Sequence, residues 1–183
     1  MENILKTDFN NKSENSNIVT FFKESLFNAV EKNDLSKVKE NLELFKDKTS
    51  AEFLAKHGVT INVANFQGRT PLFYANSAKV AALLIDAGAD VNAKDKFKRT
   101  PLHLIHDVNA AKQLIAVGAN INAKDGNDST PLHYATCKNN KAMVLMLMDK
   151  GADVCAKDNK GQTALDEAIS YEHWDIAEAF NAK

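Results

Sequence analysis

Lys98-Arg99-Thr100-Pro101-Leu102-His103 and, eighteen positions beyond its threonine, Gly118-Ala119-Asn120-Ile121-Asn122-Ala123-Lys124-Asp125 are the two blocks that decide the fold. Both recur. The first returns as Gly68-Arg69-Thr70-Pro71-Leu72-Phe73, Asp128-Ser129-Thr130-Pro131-Leu132-His133 and Gly161-Gln162-Thr163-Ala164-Leu165-Asp166. The second returns at Gly88–Asp95 and Gly151–Asp158, with a weaker copy at Gly58–Asn65. The threonines at 70, 100, 130 and 163 are spaced by 30, 30 and 33 residues. A fixed period of this size marks a stack of similar units that share one continuous core.

Each block has a physical reading. Thr before Pro starts a helix, because the threonine hydroxyl caps it and proline fits a position whose N–H has no helical partner. The leucine that follows points inward. Val80–Ile85 and Met143–Met148 are apolar and form a second, buried helix. Gly88, Gly118 and Gly151 then end it in a left-handed turn that other residues adopt at a steric cost. Asn, Asp, Gly and Lys fill the stretch to the next threonine, as a turn requires. One unit is therefore helix, short link, helix, long loop.

Thr-Pro-Leu-His followed by Gly-Ala-Asp-Val-Asn-Ala resembles the ankyrin repeat, and the resemblance covers residues 58 to 180. It implies an all-α solenoid of stacked antiparallel helix pairs, with the loops projecting as β-hairpin fingers. Fingers and first helices would form a concave face that grips a partner protein. The chain also resembles small standalone bacterial arrays, among them effectors and immunity-type inhibitors that sequester an enzyme or toxin.

Two units depart from the family's length of about 33 residues. Thr70 to Gly88 and Thr100 to Gly118 are each 18 positions, against 21 for Thr130 to Gly151. The loss falls in the helices or their link, near Asn76-Ser77 and His106–Asn109, with Ser77 and Asp107 or Asn109 as N-caps of the second helices. Phe73 replaces the family's histidine, which removes one polar bond between repeats. Four regions follow. Residues 1–19 read as a mobile polar tail. Residues 20–67 form an N-terminal cap and irregular first repeat, with a helix at Ser50–His57. Residues 68–160 are three repeats, and 161–183 a C-terminal capping repeat with a polar outer face.

Composition excludes several classes. With 23 basic and 24 acidic residues the formal charge is −1, so no global field attracts nucleic acid or an anionic membrane. No apolar run approaches the roughly 18 residues of a membrane span or a secretory signal. These features predict a cytoplasmic, monomeric protein without cofactor or metal. Cys137 and Cys155 read as small filler residues. His103 and His106 could share a metal on one helix face, but His103 and His133 hold the structural histidine position. There the ring is expected to bond to local threonine and backbone groups. Asp125-Gly126-Asn127-Asp128 resembles a calcium loop but lacks its ligand series and terminal Glu. No nucleophile–base constellation or phosphate loop is present, so the chain reads as a non-enzyme.

The partner-binding residues are therefore sought on the fingers and first helices. Phe66 and Phe97 place large rings on loop tips, and aromatics and arginines carry much interface energy. Either ring could instead lie flat on its neighbouring finger. Arg69, Lys96 and Arg99 accompany them, and Lys94–Arg99 favours an acidic partner surface or, more remotely, nucleic acid. Tyr74, Leu104 and Tyr134 should face the groove, together with His106. Trp174 reads as packing within the last helix pair.

Overall fold

The computed structural model describes residues 12–46 and 59–182. Its helices are α1 (Lys12–Glu31), α2 (Leu35–Lys46), a 3-10 turn (Pro71–Tyr74), α3 (Ala78–Asp86), α4 (Pro101–Leu104), α5 (Val108–Ala116), α6 (Pro131–Cys137), α7 (Lys141–Asp149), α8 (Ala164–Ser170) and α9 (Trp174–Asn181). They stack in two rows. The inner row runs α1, the 3-10 turn, α4, α6, α8, and the outer row α2, α3, α5, α7, α9. Leu72, Leu102, Leu132 and Ala164 of the inner row and Leu84, Leu114, Leu147 and Ile176 of the outer row are buried in one continuous core.

The missing three residues come from the inner helix. It has four residues in the two short units and seven in the units that follow. The long units leave the inner helix through a left-handed residue, Asn139 (φ 53°) or Glu172 (φ 59°). The short ones pass directly through Ala75 or Ile105 into the next cap. Those caps are Ser77, whose Oγ accepts from Val80 N–H (3.3 Å), and Asp107, whose Oδ1 accepts from Ala110 N–H (2.7 Å).

Repeats are tied to one another at two levels. In the fingers, Asn62 Oδ1 accepts from Asp90 N–H (2.7 Å), Asn92 Oδ1 from Asn120 N–H (2.8 Å) and Asn122 Oδ1 from Asp153 N–H (2.8 Å). Cys155 holds the next position of this ladder. At the inner-helix starts, Thr100 N–H donates to His103 Nδ1 (3.0 Å), so the ring proton sits on Nε2, 3.2 Å from the Ser129 carbonyl of the next unit. His133 repeats the arrangement with Thr130 and the Gln162 carbonyl. Asp166 replaces the ring in the last unit, accepting from Thr163 N–H and hydroxyl, both at 2.8 Å. Phe73 cannot do either task, and Thr70 Oγ1 is left buried without a partner.

Several expectations change. Among the described residues there is no strand. Each finger is a turn closed by two backbone bonds, such as Asp95 N–H to the Arg99 carbonyl (2.9 Å) and Lys98 N–H to the Asp95 carbonyl (2.9 Å), and joined to its neighbour by one more, such as Lys96 N–H to the Gln67 carbonyl (3.0 Å). A single bond per junction is too little to make a ladder. Gly68 (φ 79°) allows that approach, since a Cβ there would stand 3.0 Å from Lys96 N. α1 begins at Lys12, so residues 12–19 of the segment read as tail are helical. Residues 1–11 and the helix read at Ser50–His57 lie outside the described residues. α1 and α2 form one helix pair packed directly on the 3-10 turn and α3.

The three buried threonines that start the inner helices before proline give a direct test. Thr100→Val and Thr130→Val each break a satisfied Thr–His bond and should cost about 1 kcal/mol. Thr70→Val removes only an unpaired hydroxyl and should leave the urea midpoint unchanged or raised. Equal losses at all three positions would contradict this account of Phe73.

Candidate recognition surface

At the base of each finger stands one side chain that accepts two backbone N–H groups. Asn65 Oδ1 accepts from Gln67 and Arg69, Asp95 Oδ1 from Phe97 and Arg99, Asp125 Oδ1 from Asn127 and Ser129, and Asp158 Oδ1 from Lys160 and Gln162. These bonds close the turn and hold the tip. They also take up Asp125, the first carboxylate of the stretch that resembles a calcium loop. Among the described residues no group of three or more His, Cys, Asp or Glu could hold a metal ion.

The second polar atom of that base residue faces the inner helix four positions after the threonine. Asn65 Nδ2 donates to Tyr74 Oη (2.8 Å), and Tyr134 Oη donates to Asp125 Oδ2 (2.9 Å). Burial first, and then the Asp125 carboxylate, push the Tyr134 phenol up to about 12, so it stays a donor. Leu104 has no hydroxyl to offer Asp95. Arg99 takes over, with Nη2 at 2.6 Å and Nε at 2.8 Å from Oδ2, and Arg69 Nε adds a contact from the previous finger at 3.3 Å. Burial raises the Asp95 pKa, but the bonds from Arg99, Phe97 and Arg69 outweigh it and hold the carboxyl below its ordinary value.

This geometry divides the expected contact residues. Phe66 is 81% exposed and Phe97 59%, and Lys96 is exposed between them in sequence on the second finger. The Phe97 ring is backed by the Arg99 guanidinium at 4.6 Å from its centroid. Arg99 itself is mostly buried and committed to Asp95, so it positions the finger more than it offers a free charge. Arg69 lies 6.0 Å over the Tyr74 ring and also reaches Asp95. Tyr74, Leu104 and Tyr134 are half-buried on the inner row, and Tyr134 packs edge-on against His103 at 5.2 Å. His106 is exposed in the link, at the opposite end of α4 from the finger, where its carbonyl accepts from Asn140 Nδ2 (3.1 Å).

Three other readings are corrected. Trp174 is 58% exposed, because α9 turns Ile176 and Ala177 to the core instead. Ile169 and Tyr171 are exposed with it, so the outer face of the last unit is not wholly polar. Cys137 and Cys155 are exposed thiols and fill no space in the core.

Glu167 is a groove residue that the search for Tyr and Leu passed over. It lies four positions after Thr163, in register with Tyr74, Leu104 and Tyr134. Its Oε2 is buried without a partner. Burial, and then the nearby Asp158 charge, push its carboxyl to about 7. The folded state therefore holds a proton that the unfolded chain releases near 4.5, and stability falls as pH rises through that window. Glu167→Gln should remove the decline and raise stability at pH 8 by about 1 kcal/mol, after discounting for a half-exposed group. Denaturant titrations at pH 5 and pH 8 measure both. A wild-type chain equally stable at the two values would refute the assignment.

The chain matches the family model described as ankyrin repeats (3 copies) over residues 76–158 and again over residues 102–181. No curated protein matches it. Ankyrin repeats are generally protein–protein interaction modules. With more than half of its length covered by that model, the phased Thr-Pro-Leu and Gly-Ala blocks and two rows of stacked helices, this chain belongs to the ankyrin repeat family.

Proposed function

We propose that the chain is a non-catalytic module that binds a partner protein through its concave face and fingers, acting by positioning or occluding it. The observation that carries this reading is the pair of exposed rings, Phe66 and Phe97, on fingers fixed by buried polar bonds. Large apolar groups held rigidly in water lose little further entropy on binding, and aromatic side chains are enriched among the residues that dominate interface energy. Tyr74, Leu104 and Tyr134 would line the floor of the site, with Arg69, Lys96 and Arg99 at its rim and His106 at its far edge. Residues 20–67 and 161–183 would cap the ends, and residues 68–160 would carry the recognition surface.

Among the described residues no helix is long and apolar enough to cross a membrane. Sequestration of an enzyme or toxin by the groove is compatible with this mechanism, since it needs only steric cover of the partner's own site.

A photo-crosslinking amino acid tests the surface. Placed at position 97 it should capture a discrete partner in cells, whereas at Lys112, exposed on the outer-row helix α5, it should not. Phe66→Ala with Phe97→Ala should weaken the captured complex at least tenfold, as loss of hot-spot side chains does. Equal capture from both positions, or full affinity in the double variant, would move the site elsewhere.

A further inference from the structure

Charge is distributed unevenly along the fingers. The second finger carries Lys94, Lys96, Lys98 and Arg99 against one acid, Asp95. That acid is buried and taken up by Arg99 and Arg69. Lys94, Lys96 and Lys98 are exposed, and among the described residues none of their ammonium groups has a carboxylate partner. At the third finger the balance reverses, with Asp125 and an exposed Asp128 against Lys124, and the last finger returns to a small basic excess, Lys157 and Lys160 against Asp158. Complementary charge between patches guides association and fixes register.

A second observation concerns the backbone. Lys98 adopts φ 62° at the tip position that Gly68 and Gly161 occupy, each at φ 79°, in the first and last fingers, and that Asp128 holds at φ 60° in the third. A lysine held in the left-handed region costs about 1–2 kcal/mol relative to an unstrained residue. Strain of this kind persists where the surrounding structure fixes the backbone, and it clusters at binding and active sites. The Lys96 N–H to Gln67 carbonyl bond (3.0 Å) keeps the two tips side by side. Two exposed rings and three unpaired ammonium groups therefore project from one rigid pair of fingers.

We propose that the first two fingers form a docking site for an acidic protein segment, whose carboxylates meet Lys94, Lys96 and Lys98 while an apolar side chain lies on Phe66 and Phe97. This rests on the protein-binding reading above and names the partner's chemistry. A nucleic-acid strand fits less well. Its continuous phosphates would run on from the lysines to Asp128, exposed at the next tip, where they meet a repulsion that a short acidic segment ends before reaching.

The test is selection of random peptides displayed against the whole chain, compared with Lys94→Glu/Lys96→Glu/Lys98→Glu. Wild type should enrich peptides with Asp or Glu flanking an apolar residue. Their Kd should rise at least tenfold on charge reversal and on Phe66→Ala/Phe97→Ala, and several-fold between 50 and 200 mM salt. A milder variant, Lys94→Gln/Lys96→Gln/Lys98→Gly, relieves the backbone strain and should bind as weakly while melting no lower than wild type. Neutral or basic peptides, acidic peptides indifferent to these changes, or no enrichment would overturn the proposal. So would a twelve-nucleotide oligouridylate that binds more tightly than any selected peptide and is lost on lysine reversal. Partner capture from position 97 together with non-acidic peptides would refute the partner's chemistry alone. Failure of capture would refute the binding surface itself.

Discussion

One polar side chain at the base of each finger, buried in the second and third, organises the concave side of this molecule. Its first oxygen closes the turn by accepting two backbone N–H groups, and in the first three fingers its second polar atom bonds a partner from the inner helix or the finger. An unpaired buried carboxylate would be costly, so each must be satisfied locally. The choice of donor then shapes the surface. Where the inner helix supplies a tyrosine hydroxyl, as at Tyr134, the groove floor is polar and tied to the finger. Where it supplies Leu104, the donor becomes Arg99, which leans across the finger and backs the Phe97 ring. The Phe97 ring at the second tip thus rests on the same guanidinium that neutralises Asp95.

Coupling between repeats follows a separate route and is unequal along the chain. Asparagines bridge successive fingers, and imidazoles bridge successive inner-helix starts. In a linear array stability is close to a sum of unit and nearest-neighbour terms. The junction after Phe73 keeps its asparagine bridge and lacks the imidazole one. It also leaves Thr70 Oγ1 unpaired, which adds a desolvation cost. In place of the imidazole bond that junction has the Arg69 Nε contact to Asp95 across the two fingers (3.3 Å).

Much of this was legible in the residues because the repeat compares each position with itself. Thr-Pro marked helix starts, and Ser77 and Asp107 were readable as caps because each is followed by an apolar helix. The structural histidines were recognisable from their place in the block. Features that cross between positions were not readable. A three-residue loss has the same spacing whether it shortens a helix or a link. The Asp95–Arg99 pair sits on a loop whose lysines read as one solvated run. Lys12–Val19 lacks apolar periodicity, so its helix left no pattern to follow. Trp174 occurs once, at the last unit, where no neighbouring repeat distinguishes an inward from an outward face. Glu167 could have been found by extending the Tyr74, Leu104, Tyr134 register by one more unit.

The shortened inner helices bear on recognition for a geometric reason. Removing one turn from the inner row takes material from the end distant from the fingers, while finger spacing is held by the asparagine bridges and the backbone bonds between tips. The floor beside the first two fingers is therefore shorter than beside the third and fourth. A partner lying along the groove meets less inner-helix surface there and must take more of its contact from the finger tips. Those are the fingers that carry the two exposed rings, whereas the long units present Gly126, Asn127, Asn159 and Lys160 at the corresponding tips. The loss of helix and the gain of aromatic tips thus fall on the same two units.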